Sequence, residues 1–397
     1  MARIAYIFTT FPKLSEQFFM REVLELQKQG IEMDIYSLID GDKISEAGPV
    51  TEMDARAWWL LILDLLYWLL RRPVVSACLM RKVVFKRYGS RINYGENLLG
   101  LAFAFKFARH FERCGYAYAH ATWATAPGMA AYALEALIDL PFTLEAHAYD
   151  VFRDGGDAFL LPKLESAKRV RSSTEATAGE LRRQLGDTAD KVSCVRRGLS
   201  EIPTYRQRFE LDGPLQILSV GRLIEKKGYF QQLAIYAALK QLGCPFVATI
   251  VGEGSLELAL SEQLRKLGLE SCVRLAGKLD YPEVEALYLK ADLFLFTGVV
   301  SESGDRDGFP NVIGEAMSYS LPVFSTDVSG TTEGIHDQDT GYVIDLDDIE
   351  AVAQKIRASM KDREALERVT RKAHAWILDS FEVSANMNEL GVQLWDL

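Results

Sequence analysis

Residues 215–228 read Leu-Gln-Ile-Leu-Ser-Val-Gly-Arg-Leu-Ile-Glu-Lys-Lys-Gly. A short apolar run ends in a glycine and delivers a basic loop, as a buried β-strand of a parallel sheet does. Working outward from it, strands are expected at 215–220, 246–251, 273–276, 293–296 and 322–325, with helices at 229–242, 256–267 and 311–319. Short apolar runs that alternate with amphipathic stretches specify an α/β architecture with helices on both sheet faces.

The first half carries the same alternation. A strand is expected at 4–8, a helix at 15–29 closed by Gly30, and further strands at 32–38, 142–146 and 168–172. Gly30 stands where a helix end favours positive φ, which costs glycine little. The two series separate near Ile202–Pro214 and predict two Rossmann-like, doubly wound domains, 1–200 and 201–375. Residues 376–397 are expected to form a helix returning to the first domain. Two such domains facing one another would open a ligand cleft at the carboxyl ends of their strands.

Composition narrows the function. Lys and Arg number 45 against 55 Asp and Glu, a net charge of −10, which argues against a nucleic-acid partner. Cys78, Cys114, Cys194, Cys244 and Cys272 are an odd set without a Cys-x-x-Cys pair, so neither a disulfide framework nor a structural zinc site is expected. The first apolar run is too short for a signal-peptide core, which points to a cytoplasmic chain. From Ala57 to Leu70 the sequence is apolar except for Asp64, too short to span a bilayer. Between Asp64 and Glu96 it has Arg71, Arg72, Arg81, Lys82, Lys86, Arg87 and Arg91 but no carboxylate. A Trp-rich apolar helix beside such a stretch suits a protein lying on an anionic membrane surface through residues 57–91. A buried helix flanked by a solvated basic face is the competing reading.

Two clusters can carry chemistry. Arg222 and Lys227 follow a strand end, where cations are placed to neutralise a phosphate. Asp307 and Glu315 flank Gly308-Phe309-Pro310-Asn311, and a helix start near Asn311 can hold an anion or a sugar hydroxyl. Glu315, one turn inside that helix, is within reach of a ribose diol. Asp305-Arg306-Asp307 mimics an Asp-x-Asp metal motif, but Arg306 between the carboxylates speaks against metal. Gly252-Glu253-Gly254 lacks a third glycine at 257, so a dinucleotide fingerprint fails.

The pairing of Gly-Arg-Leu-x4-Lys-Gly with carboxylate-x7-Glu resembles retaining glycosyltransferase family 4, of the GT-B fold. Phe11–Phe18, His120–Pro127 and Glu145–Phe152 are similar to its colanic-acid and exopolysaccharide branch, and the resemblance covers nearly the whole chain. It implies that Arg222 and Lys227 bind the donor diphosphate, Glu315 the nucleotide ribose, and Asp307 with Gly308, Phe309, Pro310 and Asn311 the donor sugar. It also implies that His147 contacts the sugar from the first domain, and that Gly221, Gly252 and Gly254 lie at the nucleotide; His120 receives no role. The implied reaction moves a sugar, with retention, from a nucleotide-diphosphate sugar to a lipid-linked or saccharide acceptor in surface polysaccharide biosynthesis. The enzyme would need no cofactor or metal, and would lie peripherally on the inner membrane face. Asp307 replaces the family's usual Glu, and Thr9–Lys13 replaces a Gly-Gly loop. A nucleotide-sugar epimerase of the same fold, needing no acceptor, and a two-lobed solute-binding protein remain the alternatives.

Overall fold

The structure is a computed structural model describing residues 3–13, 16–42, 46–53, 58–199, 201–207 and 213–395. Leu14, Ser15 and Ala57, and the side chains of Trp58 and Trp59, on which parts of the reading above fell, lie outside the described residues.

The chain divides into two compact units, Met1–Gly198 with Val383–Leu397, and Leu199–Glu382. The divisions fall at 198/199 and 382/383 rather than 200/201 and 375/376. The reason is local: helix Arg363–Ser380 runs through residue 376, and its Trp376 and Ile377 pack into the core of the second unit.

In the first unit, β1 (Ile4–Thr10), β2 (Met33–Ile39), β3 (Val50–Glu52), β4 (Tyr118–Ala121), β5 (Phe142–Glu145), β6 (Arg169–Ser172) and β7 (Val192–Cys194) form a parallel sheet in the order β3-β2-β1-β4-β5-β6-β7. Successive residues of β1 alternate between two cores. Ala5 and Ile7 join Tyr36 and Leu144 on one face, while Ile4, Tyr6 and Phe8 join Ile35 on the other. The second face is covered by helix Gln17–Lys28 and by the last helix, Val383–Trp395, through Val23, Leu26, Met387 and Leu390. Gly30 takes φ 86°, as expected of its position. On the first face, helices Arg91–Cys114 and Ala126–Ile138 cross at Gly100, where a Cβ would run into the Ala126 carbonyl.

The apolar stretch forms helix Trp58–Arg71, and the basic stretch continues as helix Pro73–Val84. Among the described side chains of the first, an inner stripe is covered: Leu61, Leu65, Tyr67 and the fully buried Trp68, whose indole N–H donates to the Phe105 carbonyl at 3.2 Å. Ile62, Leu63, Leu66 and Leu70 on the other side are exposed, Leu70 by 86%. No helix among the described residues is long and apolar enough to cross a membrane.

The second unit holds β8 (Leu215–Val220), β9 (Phe246–Val251), β10 (Val273–Gly277), β11 (Leu293–Phe296), β12 (Val323–Thr326) and β13 (Tyr342–Ile344), all parallel, in the order β10-β9-β8-β11-β12-β13. Leu293 and Leu295 face the core beneath helices 229–241 and 349–359; Phe294 and Phe296 face that beneath helices 311–318 and 363–380.

Candidate active site

The strand order of the second unit reverses direction beside β8, between β8 and β11. Ligands of such sheets bind at this switch point, outside the carboxyl ends of the strands. The loops that leave β8 and β11 are fastened together there. The Val299 N–H donates to the Lys226 carbonyl at 2.9 Å, the Thr297 hydroxyl to the Gly228 carbonyl at 3.0 Å, and the Glu302 N–H to Glu225 Oε1 at 2.8 Å. Gly228 has φ 65°, and a Cβ there would collide with the Thr297 carbonyl, so the junction requires glycine twice over.

This clamp sets the charges. Lys227 Nζ donates to Asp307 Oδ2 at 2.5 Å, and Lys226 Nζ lies 3.0 Å from Asp305 Oδ1 and 3.4 Å from Asp307 Oδ1. Burial by itself would push the Asp307 carboxyl up, but Lys227 and then Lys226 hold it below the ordinary carboxylate range. The residues read as the diphosphate cation and the sugar carboxylate are thus one ion pair in this state, with Lys226 as its third member. Sequence reasoning missed Lys226; the signal was two adjacent lysines, matched in charge by Asp305 and Asp307. The carboxylates of the Asp-x-Asp stretch converge on an ammonium group. Arg222, by contrast, is exposed and makes no ion pair among the described residues.

The glycines have a backbone reason. The loops after β8 and β9 are zipped by the Leu223 N–H to the Glu253 carbonyl at 2.9 Å and the Leu256 N–H to the Leu223 carbonyl at 3.0 Å. A Cβ on Gly252, at φ 139°, would strike the Gly221 carbonyl, and one on Gly254 the Leu223 carbonyl. Gly221 accepts the Tyr229 hydroxyl on its carbonyl at 3.0 Å.

Helix Asn311–Ser318 starts after Pro310 at the same sheet edge, leaving its first N–H groups without earlier helical carbonyls. Phe309 anchors the approach, its ring 5.3 Å from those of Trp376 and Phe381, while Gly308 packs closely against Gly330. Glu315 is half-buried and accepts the hydroxyl of the fully buried Tyr288 at 3.1 Å, which fixes its carboxylate one turn inside the helix.

The first unit carries a second polar constellation. His147 follows β5 and is 7% exposed. Its Nδ1 lies 3.2 Å from the Ser173 hydroxyl; its Nε2 lies 3.0 Å from Glu145 Oε2 and 2.9 Å from Arg197. Both ring nitrogens therefore have protein partners. Burial and then the neighbouring Arg197 lower its pKa to about 4, so the imidazole is neutral near pH 7. Glu145 also accepts from Arg171 at 2.7 Å, and Arg171 and Arg197 share Glu22 at 2.8 and 3.0 Å. Burial would raise Glu145, but Arg171 holds it well below the usual range. His120, buried in β4, bonds Thr143 at 2.7 Å and belongs to this network. Glu22, Arg171 and Arg197 were not legible, because their partners lie far along the chain.

Comparison with known proteins agrees with this geometry. Residues 201–376 match the family described as Glycosyl transferases group 1. Among curated relatives, the amylovoran biosynthesis glycosyltransferase AmsK of Erwinia amylovora is 36% identical over 43% of this chain and 42% of its own. The putative colanic acid biosynthesis glycosyltransferase WcaL of Escherichia coli (strain K12) is 31% identical over 54% of this chain and 53% of its own. The chain thus spans about half the length of the curated relatives it matches. Among solved structures, Anabaena Alr3699/HepE in complex with UDP-glucose aligns over 100% of both chains with a TM-score of 0.69 and 17% identity, a likeness of fold. This chain has the GT-B fold, and its residues 201–376 match the group 1 glycosyltransferase family.

Proposed function

We propose that the chain is a retaining glycosyltransferase of surface polysaccharide biosynthesis, using a nucleotide-diphosphate sugar held on the second unit. The observation that carries this reading is the Lys226–Lys227–Asp307 cluster at the switch point of a group 1 glycosyltransferase domain. Arg222, Lys226 and Lys227 would neutralise the diphosphate as its bond to the sugar breaks, the work preorganised cations do best. Glu315 would take the ribose and Asp307 a sugar hydroxyl, exchanging its lysine partner for the donor. The acceptor oxygen would bond the anomeric carbon on the face the diphosphate leaves, its proton passing to the departing phosphate oxygen. The two lysines make a divalent metal unnecessary in this scheme. Solved neighbours in complex with UDP and UDP-glucose support a nucleotide-sugar donor, and relatives named for amylovoran and colanic acid synthesis support the pathway class.

The acceptor, on this reading, is a saccharide or a lipid-linked one, reached with the first unit resting on the inner face of an anionic membrane. The uncovered apolar side of helix Trp58–Arg71 and the exposed cations after it support that placement. The test is a panel of nucleotide sugars incubated with membrane lipid extract and excess EDTA. Sugar transfer by the native chain but not by Lys227→Ala supports the proposal. Donor turnover that needs no acceptor would favour an epimerase instead.

A further inference from the structure

The first unit has a pocket of about 420 Å³ that the proposed reaction does not use. It lies where the end of helix Pro73–Val84 meets helices Ala126–Ile138 and Leu160–Ser166, and its lining divides by chemistry. Arg81, Lys82 and Lys86 supply the charge, and Phe85, Phe159 and Pro162 the apolar wall. Lys86 is committed: its ammonium donates to the Ala158 carbonyl and sits 4.2 Å from the centre of the Phe159 ring. Arg81 and Lys82 are exposed, and neither makes an ion pair among the described residues. No carboxylate lines the pocket to compensate them. Phe85 is 80% exposed, an arrangement that costs free energy unless something apolar covers it.

The mouth continues onto a surface of the same character. Val74, Cys78, Arg81, Lys82 and Phe85 recur at helical spacing, so one exposed face of this helix runs from an apolar start to a basic, aromatic end. A volume of this size suits a small-molecule headgroup rather than a whole chain segment. Free phosphate would satisfy the cations but leave Phe85 uncovered; an uncharged lipid would do the reverse.

We propose that this pocket binds the phosphate headgroup of an anionic bilayer lipid, with the phosphate between Arg81 and Lys82 and the glycerol end of the lipid against Phe85, Phe159 and Pro162. The lipid is a resident anchor rather than the acceptor. The inference rests on the membrane placement proposed above and deepens it from a charged surface to a defined site.

The experiment uses the full chain and dihexanoyl phosphatidic acid below its micellar concentration, with dihexanoylglycerol and inorganic phosphate as separate arms, titrated calorimetrically. Saturable binding at least ~10-fold tighter than either fragment is expected. The double variant Arg81→Gln/Lys82→Gln should weaken it ~10-fold or more, since each cation near an anionic lipid surface contributes roughly a fivefold factor. Arg87→Gln/Arg91→Gln, on the same basic stretch but outside the pocket, should leave it unchanged. Inorganic phosphate binding as tightly as phosphatidic acid, or equal effects of the two double variants, overturns the pocket. Flotation with phosphatidylglycerol vesicles separates the levels. If both double variants bind these vesicles equally well and neutral vesicles poorly, the surface reading stands and the pocket falls. Indifference of the native chain to anionic lipid removes the reading underneath.

Discussion

Lys227 and Asp307, 80 positions apart, meet at 2.5 Å at the switch point of the second sheet. A donor that engages either one must therefore break or share their bond. Asp307→Asn keeps the shape and removes the charge that occupies Lys227. Free nucleotide diphosphate should then bind a few-fold more tightly, because Lys227 no longer has to leave a partner. Sugar transfer should fall by ~10- to 150-fold if a charge-assisted hydrogen bond to the sugar is lost. Calorimetry with UDP and with intact donor, beside steady-state rates, separates the two; weaker UDP binding would place Asp307 on the nucleotide.

The two lysines differ in what they hold. Lys226 is buried between two carboxylates, so Lys226→Met strips Asp305 of its ammonium partner, leaves Asp307 to Lys227 alone, and should cost about 3 kcal/mol. Lys227→Ala should cost less stability, yet lower kcat by ~10² or more through the loss of leaving-group stabilisation. Thermal melting and turnover of both variants check this, and a reversed pattern would exchange their roles.

Gly228→Ala should unseat the lysine loop, since its Cβ meets the Thr297 carbonyl and its φ is 65°. A loss of ~3 kcal/mol or more, together with loss of UDP binding, is expected. Gly243→Ala is the control: its φ is 64° but nothing lies near its Cβ, so only the backbone cost of about 1–2 kcal/mol applies.

His147 predicts a pH dependence. Its pKa in the fold, about 4, lies below the value near 6.5 expected when unfolded. Between these values the unfolded chain binds more protons, so this group makes stability rise with pH across that window. On going from pH 7 to 4.5 the loss should be on the order of 2 kcal/mol. Asp150 is buried and its carboxyl is pushed up to about 8, so it acts in the opposite sense. Comparing urea midpoints with His147→Gln cancels that contribution; equal losses in both chains would show that His147 is not the source.

Leu66→Gln and Leu70→Gln remove exposed apolar side chains and should leave the melting temperature within a degree or two. Binding to anionic vesicles should nevertheless fall several-fold in a flotation assay. Unchanged recovery would make this helix face irrelevant to lipid.

The sheet strands were legible wherever a run was both apolar and bounded by turn residues, as at 215–220, 246–251 and 293–296, which the structure reproduces. Helix Ala126–Ile138 was not, because it is buried on nearly every side and so has no amphipathic period. β4 escaped notice because Tyr-Ala-His-Ala is short and poor in β-branched residues. At the site, Arg222, Lys227, Asp307 and Glu315 stood out through glycines and charge at a strand end. The pairing of Lys227 with Asp307 did not, since only the fold brings separate loops together. The Glu22–Arg171 contact, 149 positions apart, was hidden for the same reason.

The second unit is one continuous stretch, Leu199–Glu382, whereas the first is closed by Val383–Trp395, whose Met387 and Leu390 cover Ile4, Tyr6 and Val23. During synthesis on the ribosome, strands made first must therefore wait, one face covered only by helix Gln17–Lys28, until nearly two hundred intervening residues have emerged. The later unit can finish its core before the earlier one does, and an aborted chain ending before residue 383 would expose that apolar face to chaperones and proteases.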